Sequence, residues 1–357
     1  MKKLKNNRIT YYRFGFLIVL FFIGNTLAAQ YATTKVRSKH QAYTDSLKQV
    51  KYDNILPIWG QKAYKKGFDI PYPTGAMINF VWVRQGLLID DIALGLKTDN
   101  QDIPLTEVDF IEFGNNYSEA NTFLFRPDVW VFPFLNLYGL FGLGSSRTEV
   151  NLTVPTDLKS VVDQRVTTYG FGATAAGGIG PIWVAVDGNI SWTKPELLDD
   201  PVKVTVFGVR VGHNFVNKNK PYRNFGVWAG AMKVTLGSET VGELQLKDAL
   251  PPDVFERAQE IEANYFEWLN SLNPNNPIDA KKIEVANEVL TPIFERIGDA
   301  DGSATVRYSL AKQVKEPWNG VIGGQYQMNK NWMFRAEGGV IGDRKSLILS
   351  VNWRFLL

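Results

Sequence analysis

The chain has 357 residues, 45% hydrophobic, 13% aromatic and 21% charged, with 31 Gly and no Cys, enough material for a full-sized core or a barrel. Without Cys there is no disulfide framework, thiolate metal site or thiol nucleophile, and two histidines, His40 and His213, argue against a multi-His metal centre. The formal charge of +3 comes from the N-terminus: taking Lys2, Lys3, Lys5, Arg8 and Arg13 from the 39 basic residues leaves 34 against 36 acidic, so no basic field remains to attract nucleic acid.

Residues 1–29 run from a basic stretch through an apolar one, Phe14 to Ile23, to Thr26-Leu27-Ala28-Ala29. This is the order of a secretory signal. The apolar run is too short to span a bilayer, which takes roughly 20 residues as a helix. Cleavage beside Ala28 or Ala29 would start the mature chain near Gln30. Residues 30–74 then form an N-terminal segment, expected in the periplasm. Ile58, Trp59 and Tyr64 in its Lys-rich stretch suggest a short helix that plugs or underlies the rest of the fold.

From residue 75 onward the dominant signal is period two, which sends successive side chains to opposite faces of a strand. Phe123, Phe125, Val129 and Val131 oppose Thr122, Arg126 and Asp128. Ile182, Val184, Val186, Ile190 and Trp192 oppose Asp187, Asn189 and Ser191. Trp332, Phe334, Ala336 and Val340 oppose Arg335 and Glu337. In the last segment Leu347, Leu349, Val351, Trp353 and Phe355 oppose Ser346, Ser350, Asn352 and Arg354, with Ile348 the apolar exception. A soluble sandwich also alternates, but it would bury these mid-strand charges at high cost. Aromatics near strand ends (Trp192, Phe215, Trp332, Trp353, Phe355) point instead to the girdles of an outer-membrane barrel.

The pattern predicts an all-β, antiparallel, up-and-down transmembrane barrel of twelve strands: 76–85, 87–97, 104–114, 119–132, 136–151, 165–179, 182–194, 203–215, 222–240, 305–328, 331–341 and 345–356. Asp90, Asp91, Glu107 and Asp109 blur the second and third, and 305–328 reads as one strand or two. Counting back from a periplasmic C-terminus, the tight turns Asn329-Lys330, Gly180-Pro181 and Pro133-Phe134-Leu135 fall on one side. The longer 152–164, 195–202 and 241–304 fall on the other, as such barrels require.

Residues 250–300 form an insertion in an outer loop. Val254, Ala258, Ile261, Tyr265, Trp268 and Leu272 repeat at helical spacing, and a second helix carries Ile283, Ala286, Leu290, Ile293 and Ile297, kinked at Pro292. Asp253 to Asp301 holds 11 acidic and 4 basic residues. An acidic helical hairpin capping the barrel is one expectation; a docking site for a protein partner through Phe255, Tyr265 and Trp268 is the other.

Chemical motifs are set aside on physical grounds. Gly170-Phe-Gly172-Ala-Thr-Ala175 loosely fits a dinucleotide fingerprint, but that needs a following helix, and Gly177, Gly178, Gly180 and Pro181 follow. The expected reading is small strand residues under a bulky neighbour. Asp299, Asp301 and Gly302 are too few for a calcium loop. His213 shares a face with Phe207, Val209, Val211 and Phe215, which points it at lipid. No catalytic, cofactor-binding or metal-binding residue is expected. The lumen-facing candidates are Arg126, Asp128, Asp187, Arg210, Arg335, Glu337 and Arg354, either salt-bridged into a rigid filling or lining a polar path.

The stretch Asp128-Val-Trp130-Val-Phe-Pro133-Phe134-Leu135-Asn136-Leu-Tyr138-Gly139-Leu140 resembles a pattern in uncharacterised outer-membrane barrel proteins of diderm bacteria, where a strand pair turns at Pro-Phe-Leu-Asn. Ile70-Pro-Tyr-Pro-Thr-Gly75 is similar to the entry into their first strand. The resemblance implies the barrel fold and an outer-membrane location, with no activity to transfer. The resulting expectation is a non-enzymatic barrel surrounded by outer-membrane lipid, with a structural, interaction or assembly-associated role. A small-solute channel is the alternative, and a lipid-modifying enzyme the third.

Overall fold

The computed structural model describes residues 34–356 except 180, 199, 218, 219, 221, 222 and 238; the expected signal segment 1–29 lies outside them. Two helices come first, α1 (Thr34–Gln49) and α2 (Gly60–Lys65). In chain order the strands are β1 (Thr74–Lys97), β2 (Asp102–Glu107), β3 (Glu112–Phe113), β4 (Asn116–Phe132), β5 (Leu135–Val154), β6 (Leu158–Ile179), β7 (Ile182–Pro195), β8 (Val202–Val216), β9 (Asn224–Leu236), β10 (Glu239–Gln245), β11 (Thr305–Val314), β12 (Trp318–Gln327), β13 (Trp332–Ile341) and β14 (Lys345–Phe355).

Ten of these close a barrel. β1 pairs antiparallel with β14 on one side and with β4 on the other, and β5, β6, β7, β8, β9, β12 and β13 complete the ring. Closure leaves no open edge in the ring, the condition for strands to sit in hydrocarbon. The register sorts side chains as the alternation requires. Phe80 lies opposite Phe123 and Leu349, all outward; Asn79 lies opposite Leu124 and Ser350, all inward. Outward Phe123, Phe141, Phe171, Val211 and Ile322 are each more than half exposed. Such a surface is stable only against lipid. Aromatic girdles bound it: Trp332 stacks on Trp353 near one rim, and Tyr169 on Trp192 near the other.

The twelve-strand expectation is corrected to ten, with β2, β3, β10 and β11 outside the ring. The expected strands 76–85 and 87–97 are one: β1 runs straight through Gly86, whose N–H donates to the Asp343 carboxylate. Residues 104–114 pair with the protruding end of β1 and with β5 rather than entering the ring. The 222–240 segment splits at Gly237 and the 305–328 segment at Pro317, giving β9/β10 and β11/β12.

The two rims differ. The terminal end holds Thr74, Phe355 and the tight turns at 133–134 and 328–331. The loop end carries long extensions: β6 has 22 residues and β1 has 24, about twice the 9–11 that cross a bilayer. Beyond residue 86, β1 exchanges β14 for β11 and β4 for β2, building an outer sheet β10-β11-β1-β2. A bulge between Asp90 and Ala93, with Asp91 at φ 50°, turns the strand there. Asp is one of the few side chains that tolerate that backbone region.

Helices α3 (Leu246–Ala249), α4 (Pro252–Glu256), α5 (Ala258–Ser271), α6 (Pro277–Val285) and α7 (Thr291–Gly298) cover this sheet, with a π-helical turn at Ala286–Leu290 before Thr291-Pro292. Leu96, Ile103, Val108 and Phe110 from the sheet side and Leu250, Val254, Ile261, Val289, Phe294 and Ile297 from the helices form one core. Tyr265 is fully buried in it, stacked on Phe294 at 4.3 Å between centroids, its hydroxyl against Thr291 Oγ1 and donating to the Ala286 carbonyl. Trp268 stacks on Phe110, and Phe255 packs against the same cluster. Of the three aromatics expected to dock a partner, Tyr265 is fully buried and has no free face, while Phe255 and Trp268 are half-buried against the core.

At the terminal end, α1 and α2 lie in the N-terminal segment that precedes the barrel. Tyr43 Oη of α1 donates to Asp69, and the Ile58 N–H bonds the Val131 carbonyl. Trp59 packs on Phe132 and Phe134 at the β4–β5 turn. Among the described residues no helix is long and apolar enough to cross a membrane.

Candidate functional site: the barrel lumen

All seven lumen candidates point inward. Towards the terminal end they form hydrogen-bonded clusters. Glu337 is 3% exposed and receives four donors: Arg210 Nε and Nη2 at 2.7 Å each, Trp228 Nε1 at 2.7 Å and Arg335 Nη2 at 3.0 Å. Arg354 Nη2 stands 3.0 Å from Asp128 Oδ1, which also accepts from Asn136 Nδ2 at 2.6 Å. Arg354 Nε and Nη2 additionally donate to the Tyr72 and Pro73 carbonyls, fixing the N-terminal segment under the rim. Asp187 accepts from Tyr138 Oη at 2.9 Å and Thr174 Oγ1 at 2.5 Å. Arg126 has no carboxylate partner; its guanidinium lies 3.6 Å from the Tyr138 ring centroid. Buried charges need such pairing to offset lost hydration.

These large side chains lie along the wall. Trp228 covers the inward face of Gly323, and Tyr138 covers Gly172; a Cβ at either glycine would overlap the ring. The expectation that Gly170 to Ala175 is strand under a bulky neighbour is met at Gly172. Because the rings fold onto glycine-bare wall, the lumen keeps a cavity of about 1540 Å³. Its lining extends from Trp59, Tyr64 and Tyr72 at the terminal end to Leu236, Thr240 and Lys312 at the loop end. Ten basic side chains line it against four acidic ones, Asp69, Asp128, Asp187 and Glu337. Asp69, Asp128 and Asp187 sit towards the terminal end, and Glu337 lies mid-barrel, opposite Ile348 in the register.

The loop half differs in character. Val81 and Val83 of β1, Val204 and Val206 of β8, Val234 of β9 and Ile348 of β14 face inward there, with Ser and Thr on β5–β7. Two cations sit at its mouth. Arg344, in the β13–β14 turn, is 2% exposed and donates from Nε to Gln85 Oε1 at 3.0 Å, while Nη1 and Nη2 have no partner. Burial pushes its guanidinium down to about 10. Lys312, on β11 outside the ten barrel strands, faces the cavity, and burial pushes its amine down to about 8. Neither was singled out from sequence: a turn Arg and a Lys in a mixed segment both read as solvated until closure aims them inward. Trp228 was missed too, though its alternation with Gly226 and Gly230 gives the inward parity.

His213 faces outward and packs on Phe215 at 4.4 Å, with no hydrogen-bond partner on Nδ1. Among the described residues no group of three or more His, Cys, Asp or Glu is placed to hold a metal.

A closed antiparallel barrel, apolar outside and charged inside, has the architecture of an integral outer-membrane β-barrel. No family profile and no curated protein matches the chain. Among solved structures, the β domain of the Bordetella autotransporter Brka aligns with 79% of this chain and 100% of its own, at 8% identity and TM-score 0.35. The outer membrane protein OprG from Pseudomonas aeruginosa aligns with 81% of this chain and 100% of its own, at 8% identity and TM-score 0.33. The translocator domain of autotransporter NalP from Neisseria meningitidis gives 82% and 92%, at 10% identity and TM-score 0.30. These likenesses are too distant to carry a function.

Proposed function

We propose that this chain is an outer-membrane barrel that admits small anionic solutes to its lumen, with the terminal end in the periplasm and the helical domain outside. The observation that carries the reading is the lumen itself: about 1540 Å³ of space lined by ten basic and four acidic side chains. Rings of one charge sign set the preference of a pore, and the wall-hugging Trp228 and Tyr138 leave room for passage. The surplus cation Arg126 has no carboxylate partner, only Asn136 Oδ1 and Thr174 Oγ1 at 3.4 Å each, and its Nε has no acceptor, so its charge is left to attract an anion. The test is reversal potential in planar bilayers under a KCl gradient. Anion preference is expected, weakened by Arg126→Gln. A barrel that does not conduct, or that prefers potassium, overturns the reading.

A docking role for the outer helices is the second reading, favoured by the exposed acids Glu256, Glu260 and Glu267. Its test is copurification from native membranes, expected to be lost when these three become Lys.

A further inference from the structure

The loop half of the lumen combines an apolar wall with unpartnered cations at its mouth, and nothing in the conduction reading requires that combination. Aliphatic side chains line this half, among them Val81, Val83, Val204, Val206, Val234 and Ile348, and the carboxylate nearest to it, Glu337 opposite Ile348, is already engaged by Arg210, Arg335 and Trp228. Arg344 is almost wholly buried, yet two of its three nitrogens lack an acceptor. Its neighbour Asp343 turns instead to the Gly86 N–H at 2.5 Å. An unpaired buried guanidinium is costly, and a bound anion would remove that cost. The two cations stand against the same strand: Arg344 on Gln85, and Lys312 opposite Ile89. From Gln85 inward to Val81 the strand spans about 13 Å of apolar wall, enough for a medium-length alkyl chain.

Resting on the reading of the lumen as a solute site, we infer that its loop half binds a single-chain amphiphile with an anionic head, such as an alkyl carboxylate. The head sits on Arg344 with Lys312 as second cation, and the chain runs down the wall of Val81, Val83, Val234 and Ile348. A paired guanidinium fork suits a carboxylate better than a point charge does. The buried chain contributes roughly fourfold in affinity per methylene.

The test is calorimetric titration of the whole protein in zwitterionic nanodiscs, with empty discs as blank, using decanoate, decanol and decylammonium below their micellar concentrations. Decanoate is expected to bind at least tenfold more tightly than decanol, and decylammonium not measurably. Arg344→Gln is expected to bring decanoate down to the level of decanol, and Lys312→Gln to weaken it severalfold. Equal binding of decanoate and decanol to the unaltered protein overturns the inference, as does unchanged decanoate binding in Arg344→Gln. If Arg344→Gln does not fold, the head-group series and Lys312→Gln decide. Anion-selective conductance without decanoate binding overturns this inference alone; decanoate binding to a non-conducting barrel supports it and removes the conduction reading.

Discussion

Glu337→Gln probes the clustered charge on which the lumen depends. Gln keeps the shape and one acceptor oxygen, so Trp228 Nε1 can still donate, but the charge shared by Arg210 and Arg335 is gone. In the unaltered protein Arg210 grips Glu337 through two 2.7 Å bonds. Arg210 is 11% exposed, Glu337 is 3% exposed, and Arg335 is 26% exposed. Breaking a buried pair by removing one partner costs about 3–5 kcal/mol. The partial exposure of Arg335 places the expected loss near the lower end, at about 3 kcal/mol. That is a folding equilibrium shifted roughly a hundredfold. Reversible urea titration of folding into lipid vesicles, followed by the mobility of folded and unfolded forms, reads it directly. The double change Arg210→Gln with Glu337→Gln should cost less than the sum of the two single changes, because it strands one fewer charge. A Glu337→Gln variant within about 0.5 kcal/mol of the parent, or strict additivity in the cycle, would refute the reasoning.

Leu349 is 46% exposed on the lipid face, so Leu349→Arg should destabilise the barrel by about 2–4 kcal/mol in the same titration, whereas Leu349→Phe should be near neutral. Tyr265→Ala should remove about 3–5 kcal/mol from the outer core, seen as new protease cleavage between residues 246 and 304 while the barrel stays resistant. Intact 246–304 would count against Tyr265 as a core residue. The Lys312 amine, at about 8 through burial, is charged below that pH and neutral above it. Decanoate affinity should therefore fall from pH 7 to pH 9 and be nearly flat over that range in Lys312→Gln, where Arg344, at about 10, stays largely charged; an equal fall in both would assign the effect elsewhere.

The ring was legible where one face meets lipid and the other the lumen. β4, β7, β13 and β14 alternate cleanly, and parity alone placed Arg126, Asp187, Glu337 and Arg354 inside. It failed where a strand leaves the membrane. Above Gly86, β1 is packed on protein, so Leu87, Ile89 and Leu96 are buried while Asp90 and Asp91 mark a bulge; period two blurs, and one strand reads as two. β2 and β3 carried strand character without any local sign that their partners lay outside the ring. Pro252–Glu256 and Ala258–Ser271 are helical, but helical spacing shows which side chains share a face and not what covers it. Tyr265 and Trp268 thus looked available when they were already stacked on Phe294 and Phe110. The mouth cations were invisible for a related reason: Arg344 is inside only because its turn folds back onto Gln85.

The shared core of sheet and helices bears on how this molecule can be re-engineered. Leu96, Ile103 and Val108 come from the first third of the chain, and Phe294, Ile297 and Ala304 from the last. The outer domain is therefore no detachable cassette. Excising 246–304 to trim the barrel would strip cover from an oily patch on β1 and β2, and the shortened product should clump where a true loop deletion would stay dispersed.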